Sequence, residues 1–201
     1  MKSKQSFSVA AASTTGFASN VTGASWVLTA ITPNDGLAHF VTVHNDSVTD
    51  HSGKTIVLTG YDANGNAQTE TIAAPGTSAT VTSTKAFKSL TSAVPSATIG
   101  ADTFDIGWTA AAVSPWVPLK PQKAQFSASF AVIKSGTINY DVQHTYDETL
   151  SGVVAFNHAT VTAKTANADG IYVAPVEAVR VNINSHTLGT FDFYVLQGEQ
   201  V

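Results

Sequence analysis

The sequence predicts an all-β protein made of two tandem β-sandwich domains, of jelly-roll or immunoglobulin-like type, joined by a proline-rich linker. Helical periodicity is nearly absent, because Gly, Pro or β-branched residues interrupt the windows in which apolar positions recur at helical spacing. Short runs alternate apolar and polar residues instead, as half-buried strands do. Turn-forming residues separate these runs at intervals typical of β-sandwiches.

The clearest element of the first half is a hairpin that joins predicted strands at residues 55–61 and 67–73. Its connection is Asp62-Ala63-Asn64-Gly65-Asn66. Because Asn and Gly both tolerate positive φ, the Asn64-Gly65 pair predicts a type I′ turn. Turn signals separate the other strands predicted in this half, which lie at residues 38–44, 78–83, 87–93 and 103–108.

The second half shows the same alternation. A hairpin is expected around Lys134-Ser135-Gly136, between strands at residues 125–133 and 137–146. In the closing pair, alternate apolar residues share a face on each side of a turn at residues 186–189. Shorter strands are expected at residues 153–156, 159–164 and 171–174.

Between the halves, residues 114–121 carry a proline at every third position, which favours an extended polyproline II path. We therefore expect a first domain over residues 1–113, with an extended N-terminal arm, and a second over residues 122–201. Trp116 lies in this linker, where it can pack at the domain junction or contact a partner.

Composition excludes several classes of function. Ten Lys and Arg against 14 Asp and Glu leave a net charge of -4, and Arg180 is the single arginine, so nucleic acid is not an expected partner. The absence of cysteine excludes disulfides and thiolate sites. No run approaches the roughly 18 apolar residues of a membrane helix, and the run 7–12 is too short for a signal peptide, so no membrane partner is expected.

The motifs that could hold a cofactor or metal are incomplete. Gly53-Lys54-Thr55 resembles the end of a phosphate-binding loop, but the motif requires a glycine five residues before Gly53, and Val48 occupies that position. A calcium loop starting at Asp62 lacks its glycine and its bidentate glutamate, where Ala67 and Ala73 stand. The six histidines show no metal-ligand spacing. We expect neither cofactor nor metal.

No catalytic residues are predicted either. The sequence has no Gly-x-Ser-x-Gly nucleophile turn, and nothing pairs its scattered carboxylates. Three tryptophans, Trp26, Trp108 and Trp116, could form a sugar-stacking platform, although Trp108 follows an alternating strand and is more simply a core residue. A carbohydrate-binding module for host-surface recognition therefore stays open as an alternative.

Two stretches resemble a pattern common in virion proteins of tailed bacteriophages. One is the hairpin IVLTGYDANGNAQTETI at residues 56–72, followed by Pro75-Gly76 and STKAFK at residues 83–88. The other runs from PVEAVRVNIN at residues 175–184 to VLQG at residues 195–198. Together the two stretches, residues 56–88 and 175–198, comprise 57 of the 201 residues. Proteins with this pattern are non-enzymatic parts of the particle: capsid decoration or cement proteins, neck and tail adaptors, and fibre-attachment domains.

The resemblance implies a structural virion protein, assembled in the host bacterial cytoplasm and bound as a homo-oligomer to the outer shell. Its expected partners are the major capsid protein or other virion proteins, and copies of itself. A neck or tail adaptor, or a fibre-attachment protein, is the alternative within this class. Low charge and Thr-rich strands suit packing against protein neighbours. Three apolar residues outside the well-patterned strands are the expected partner contacts: Phe7, Phe17 and Trp116.

Overall fold

A computed structural model describes residues 1–122 and 126–198 and confirms the all-β class. Within these two ranges, no helix is long and apolar enough to cross a membrane. The strands are β1 (Lys2–Ser8), β2 (Ser13–Val21), β3 (Ala38–Asn45), β4 (Thr55–Tyr61), β5 (Ala67–Ala73), β6 (Thr80–Phe87), β7 (Ser89–Pro95), β8 (Phe104–Val113), β9 (Val117–Pro118), β10 (Ala128–Lys134), β11 (Thr137–Thr145), β12 (Phe156–Asn157), β13 (Ala168–Tyr172), β14 (Ala178–Leu188) and β15 (Thr190–Gln197).

The chain forms two compact units. The N-terminal unit is Ala12–Ala112, and the C-terminal unit combines Met1–Ala11 with Val113–Val201. The first part of the expected N-terminal arm, Met1–Ala11, therefore belongs to the C-terminal unit, because β1 pairs antiparallel with β15 from Lys2↔Leu196 to Ser8↔Thr190. The rest of that arm belongs to the N-terminal unit, where it forms β2.

The N-terminal unit is a sandwich of two antiparallel sheets. One sheet has the strand order β8-β3-β6, with β2 paired to β8, and the other has the order β5-β4-β7. Side chains from both sheets form one hydrophobic core, in which Val41 of β3, Leu58 of β4 and Ile106 of β8 are fully buried. Burial of one face of each sheet is what the alternating sequence pattern requires.

The predicted hairpin at residues 55–61 and 67–73 is confirmed as β4 and β5, with a register from Thr55↔Ala73 to Tyr61↔Ala67. Its turn is not of type I′, because Gly65 alone within the connection has a positive φ, of 87°. The Asp62 carboxylate accepts hydrogen bonds from the amides of Asn64 and Asn66, both at 2.9 Å. These bonds favour a longer five-residue connection over the two-residue turn.

The C-terminal unit also contains two sheets, with the orders β1-β15-β10-β13 and β12-β11-β14, the second extended by β9 on β14. Each sheet buries one face. Phe130 and Phe193 are among the buried residues of the first sheet, and Tyr140 and Val181 are among those of the second. The segment expected as a linker belongs to this unit, since Val117 pairs with Val179 and the Leu119 amide donates to the Glu177 carbonyl at 2.7 Å.

The hairpin predicted around Lys134-Ser135-Gly136 is wrong, because β10 and β11 lie in different sheets. The closing pair likewise separates, with β14 in one sheet and β15 in the other. The two connections are corners that pack against each other. Ser135 and Thr190 exchange backbone and hydroxyl hydrogen bonds, and Gly136 and Gly189 allow the two backbones to approach closely. The predicted strand at residues 159–164 is also wrong, apart from a single bridge between Lys164 and Tyr140.

Candidate functional site

Two buried histidines of the N-terminal unit, His39 and His51, each form a hydrogen bond with a carboxylate. His39 lies between the Asp35 carboxylate and the Thr109 carbonyl, each at 2.8 Å. His51 Nε2 donates to Asp102 at 2.9 Å, while its Nδ1 accepts from Lys54 at 3.1 Å. The His51 hydrogen bond is the main cause that lowers the pKa of the Asp102 carboxyl below its ordinary value. Both ring nitrogens of each histidine therefore form hydrogen bonds within the fold.

Within residues 1–122 and 126–198, no three His, Asp or Glu side chains come together as a metal-binding group. The nearest sequence candidate was the loop starting at Asp62. Its carboxylate oxygens are engaged by Asn64 and Asn66, including the Asn66 side-chain amide at 3.1 Å. The loop's polar groups thus stabilise the hairpin connection.

A cleft of about 660 Å³ opens beside Trp108 in the N-terminal unit. We call it the Trp108 cleft. Its walls come from the start of β2, from β3, from β6 and from β8, and this volume falls within the range of small-molecule sites. The polar residues that line it are Ser13, Thr14, Thr42, His44, Thr80, Asp105 and Thr109.

Two residues of β2 fix the position of the Trp108 indole. Phe17 meets the ring edge-on, with centroids 4.9 Å apart. Gly16 lies directly against the ring, so that a Cβ at this position would overlap the indole carbons. The Ser13↔Trp108 pairing and the irregular register that follows it bring both residues to this place. Residue 16 must therefore be a glycine for the Trp108 indole to occupy this position.

The polar side chains of the Trp108 cleft are held by bonds from neighbouring strands and loops. The backbone amide of Asn20, a residue with a positive φ of 52°, donates a hydrogen bond to the Asp105 carboxylate at 2.9 Å. His44 Nδ1 bonds to the Thr80 hydroxyl at 2.8 Å, and its Nε2 lies 3.6 Å from Asp46. These contacts restrict the orientation of both side chains before any ligand arrives.

A second feature, in the C-terminal unit, is a cluster of rings that we call the aromatic edge: His144, Tyr146, Phe156, His158 and Tyr172. His144 is central to it, with centroids 5.4 Å from Tyr146, 5.8 Å from Phe156 and 5.2 Å from Tyr172. Tyr146 and Phe156 are 59% and 48% exposed. β12 and β13, which contribute Phe156 and Tyr172 to the cluster, are edge strands of their sheets.

Two buried polar atoms of the aromatic edge lack hydrogen bonds within the part of the chain that the structure describes. His144 Nδ1 and the Tyr172 hydroxyl are buried without a hydrogen-bond partner among the described residues. Burial, and then the nearby His158, lower the pKa of His144. Burial also raises the pKa of Tyr172. Burial therefore favours the neutral form of both groups.

The three expected partner contacts lie in different environments. Phe17 is fully buried in the core of the N-terminal unit, so it packs inside the fold rather than against a partner. Trp116 is 6% exposed and lies under the Arg180 guanidinium, 4.4 Å from the ring centroid. Phe7 is half-buried on β1 and packs on Phe191, with centroids 5.0 Å apart. All three contribute to packing within a unit.

Sequence reasoning missed both the Trp108 cleft and the aromatic edge. The cleft depends on Gly16 lying under Trp108, a contact between residues far apart in the sequence. One available signal was the outward polar set Thr42 and His44 on β3, on the face opposite buried Val41 and Val43. The signal for the aromatic edge was weaker, because its rings come from three separate segments.

No known protein family, curated protein or solved structure matches this chain.

Proposed function

We propose that this protein is a non-enzymatic structural component of a tailed-phage particle that decorates the outside of the capsid as a homo-oligomer. Its partners would be the major capsid protein or other virion proteins, and its own copies. The proposal rests on the two resembling stretches. The first contains the confirmed β4–β5 hairpin, and the second runs through β14 to the end of β15.

The observation that carries the proposal is the aromatic edge. Exposed Tyr146 and Phe156 lie side by side, with centroids 5.8 Å apart, and Val154, two residues before Phe156, is 63% exposed. Aromatic residues on an exposed surface are typical of the centre of a protein interface. Phe156 and Val154 are apolar, so covering this edge with another protein removes apolar surface from water, which is favourable.

The edge strands add to this argument. β13 ends its sheet, and Ile171 and Val173, 55% and 76% exposed, flank its buried Tyr172. A strand at the end of a sheet, with exposed apolar residues at its C-terminal end, is a surface on which a neighbour can add a strand. Few charged side chains need to be dehydrated when such a surface is covered, since only 12% of the residues are charged.

An inventory of purified particles of the encoding phage, by mass spectrometry and cryo-electron microscopy, tests the proposal. We expect a copy number close to that of the major capsid protein, with density on the outer shell. A copy number far below that of the capsid protein would place the chain in the neck or tail instead. Absence from particles that are otherwise complete would overturn the proposal.

A further inference from the structure

We propose that the Trp108 cleft binds a neutral saccharide. This is a site separate from the aromatic edge, and it concerns small-molecule binding by the N-terminal unit rather than assembly. The inference combines three features of the cleft: an aromatic ring fixed at its wall, hydroxyl groups around it, and the signs of the charges that line it.

The fixed ring is Trp108. Saccharides present flat patches of C–H groups that pack on aromatic rings, and tryptophan offers a large surface for this contact. Phe17 and Gly16 hold the indole in one place, so little side-chain entropy is lost when a ligand packs on it. Trp26 and Trp116, by contrast, are buried at 9% and 6% exposure.

The hydroxyl groups come from Ser13, Thr14, Thr42, Thr80 and Thr109. Each can donate and accept a hydrogen bond, and each threonine also presents a methyl group. A sugar ring carries the same mixture of hydroxyls and C–H groups, so this wall matches it better than it matches a purely apolar ligand. His44 and Asp105 are held in place and can set the orientation of the ligand.

The charges decide between neutral and anionic ligands. Among the described residues that line the Trp108 cleft there is neither lysine nor arginine, while Asp105 supplies a carboxylate. A phosphate or a uronic acid would meet this carboxylate without a paired cation, which is unfavourable. The ligand class that remains is neutral and rich in hydroxyls.

The test is a binding screen of the full chain against neutral and acidic bacterial surface glycans, followed by NMR titration with each neutral disaccharide that binds. We expect shifts confined to the amides around Trp108, Thr42 and Thr80. Trp108→Ala should abolish binding. Because that variant can also weaken the core, Thr42→Val and Thr80→Val are measured too. Each should lower affinity about fivefold through the loss of one hydrogen bond.

Thr71→Val is the matched control, since Thr71 is an exposed strand residue outside the cleft. Binding that is unaffected by the Thr42 and Thr80 variants would overturn the proposal. So would preference for acidic glycans, or the absence of any glycan bound at millimolar concentration. None of these results bears on whether the chain is present in particles, so the two proposals fail separately.

Discussion

Gly136 and Gly189 lie at the two connections where the chain of the C-terminal unit passes between sheets. Gly136 has a φ of 67° and Gly189 a φ of 146°. A Cβ at Gly136 would overlap the Leu188 carbonyl, and one at Gly189 would overlap the Ser135 carbonyl. Each glycine is therefore required by its own backbone angle and by the backbone of the other corner.

We expect Gly136→Ala to lower the free energy of unfolding by about 3 kcal/mol, the sum of the left-handed backbone strain and the steric overlap. Gly152→Ala is the matched control, because Gly152 has a similar φ of 63° but nothing within 4 Å of the added Cβ. It should cost only about 1 kcal/mol. Equilibrium denaturation measures both values, and equal losses would show that the corners do not constrain each other.

His144 gives a prediction about pH. Its lowered pKa means that the folded chain binds a proton less readily than the unfolded chain, whose histidine pKa is about 6.5. As pH falls below that value, the unfolded state gains the proton first, so His144 reduces stability until its own lowered pKa is reached. An NMR titration of the His144 ring should give a pKa below 6.5. A value at or above 6.5 would contradict the burial described for this ring.

At the scale of strands, β1 shows why part of the fold was predictable and part was not. The β4–β5 hairpin is local, and its alternation and its Asp62–Asn66 connection are visible in the sequence. β1 alternates exposed and half-buried residues, but its partner β15 lies at the other end of the chain. Nothing within residues 2–8 specifies that pairing.

The corners were mispredicted for the same reason. Ser135-Gly136 is a reasonable hairpin turn when it is considered alone. Its real role depends on Gly189 and Thr190, more than fifty residues away, where hydroxyl and backbone bonds tie the corners together. The Trp108 cleft depends in the same way on Gly16, which no local pattern relates to Trp108.

The β1–β15 pairing predicts that Phe7→Ala weakens the C-terminal unit. Loss of the half-buried ring and of its contact with Phe191 should cost about 1–2 kcal/mol. Hydrogen exchange of the isolated monomer should show protected β1 amides in the wild type and faster exchange in the variant. Lys2→Ala, which changes an exposed position of the same strand, should leave exchange nearly unchanged. Unprotected β1 amides in the wild-type monomer would mean that β1 is ordered only by a neighbouring chain.

In the molecule as a whole, the two units carry different candidate sites. The N-terminal unit carries the Trp108 cleft, whereas the C-terminal unit carries the aromatic edge. Composition indicated protein partners through the low charge, but the residues proposed as contacts, Phe7, Phe17 and Trp116, pack within the units. The large apolar residues outside the well-patterned strands pack inside the units. The exposed rings of the aromatic edge, Tyr146 and Phe156, lie in short or irregular segments.

The aromatic edge is the surface on which the proposed assembly depends, and variants of its exposed rings test that assembly. We expect the double change Tyr146→Ser and Phe156→Ser to weaken binding to capsids by about tenfold or more, because exposed aromatic residues supply much of the binding energy at interfaces. Tyr61→Ser is the matched control, since Tyr61 is 45% exposed and lies in the other unit.

The most direct measurement adds purified protein to capsids of the encoding phage assembled without it, and quantifies the bound protein by co-sedimentation. We expect saturable binding of the wild type and of Tyr61→Ser, and strongly reduced binding of the double variant. No binding of the wild type, or equal binding of the wild type and the double variant, would contradict the proposed assembly.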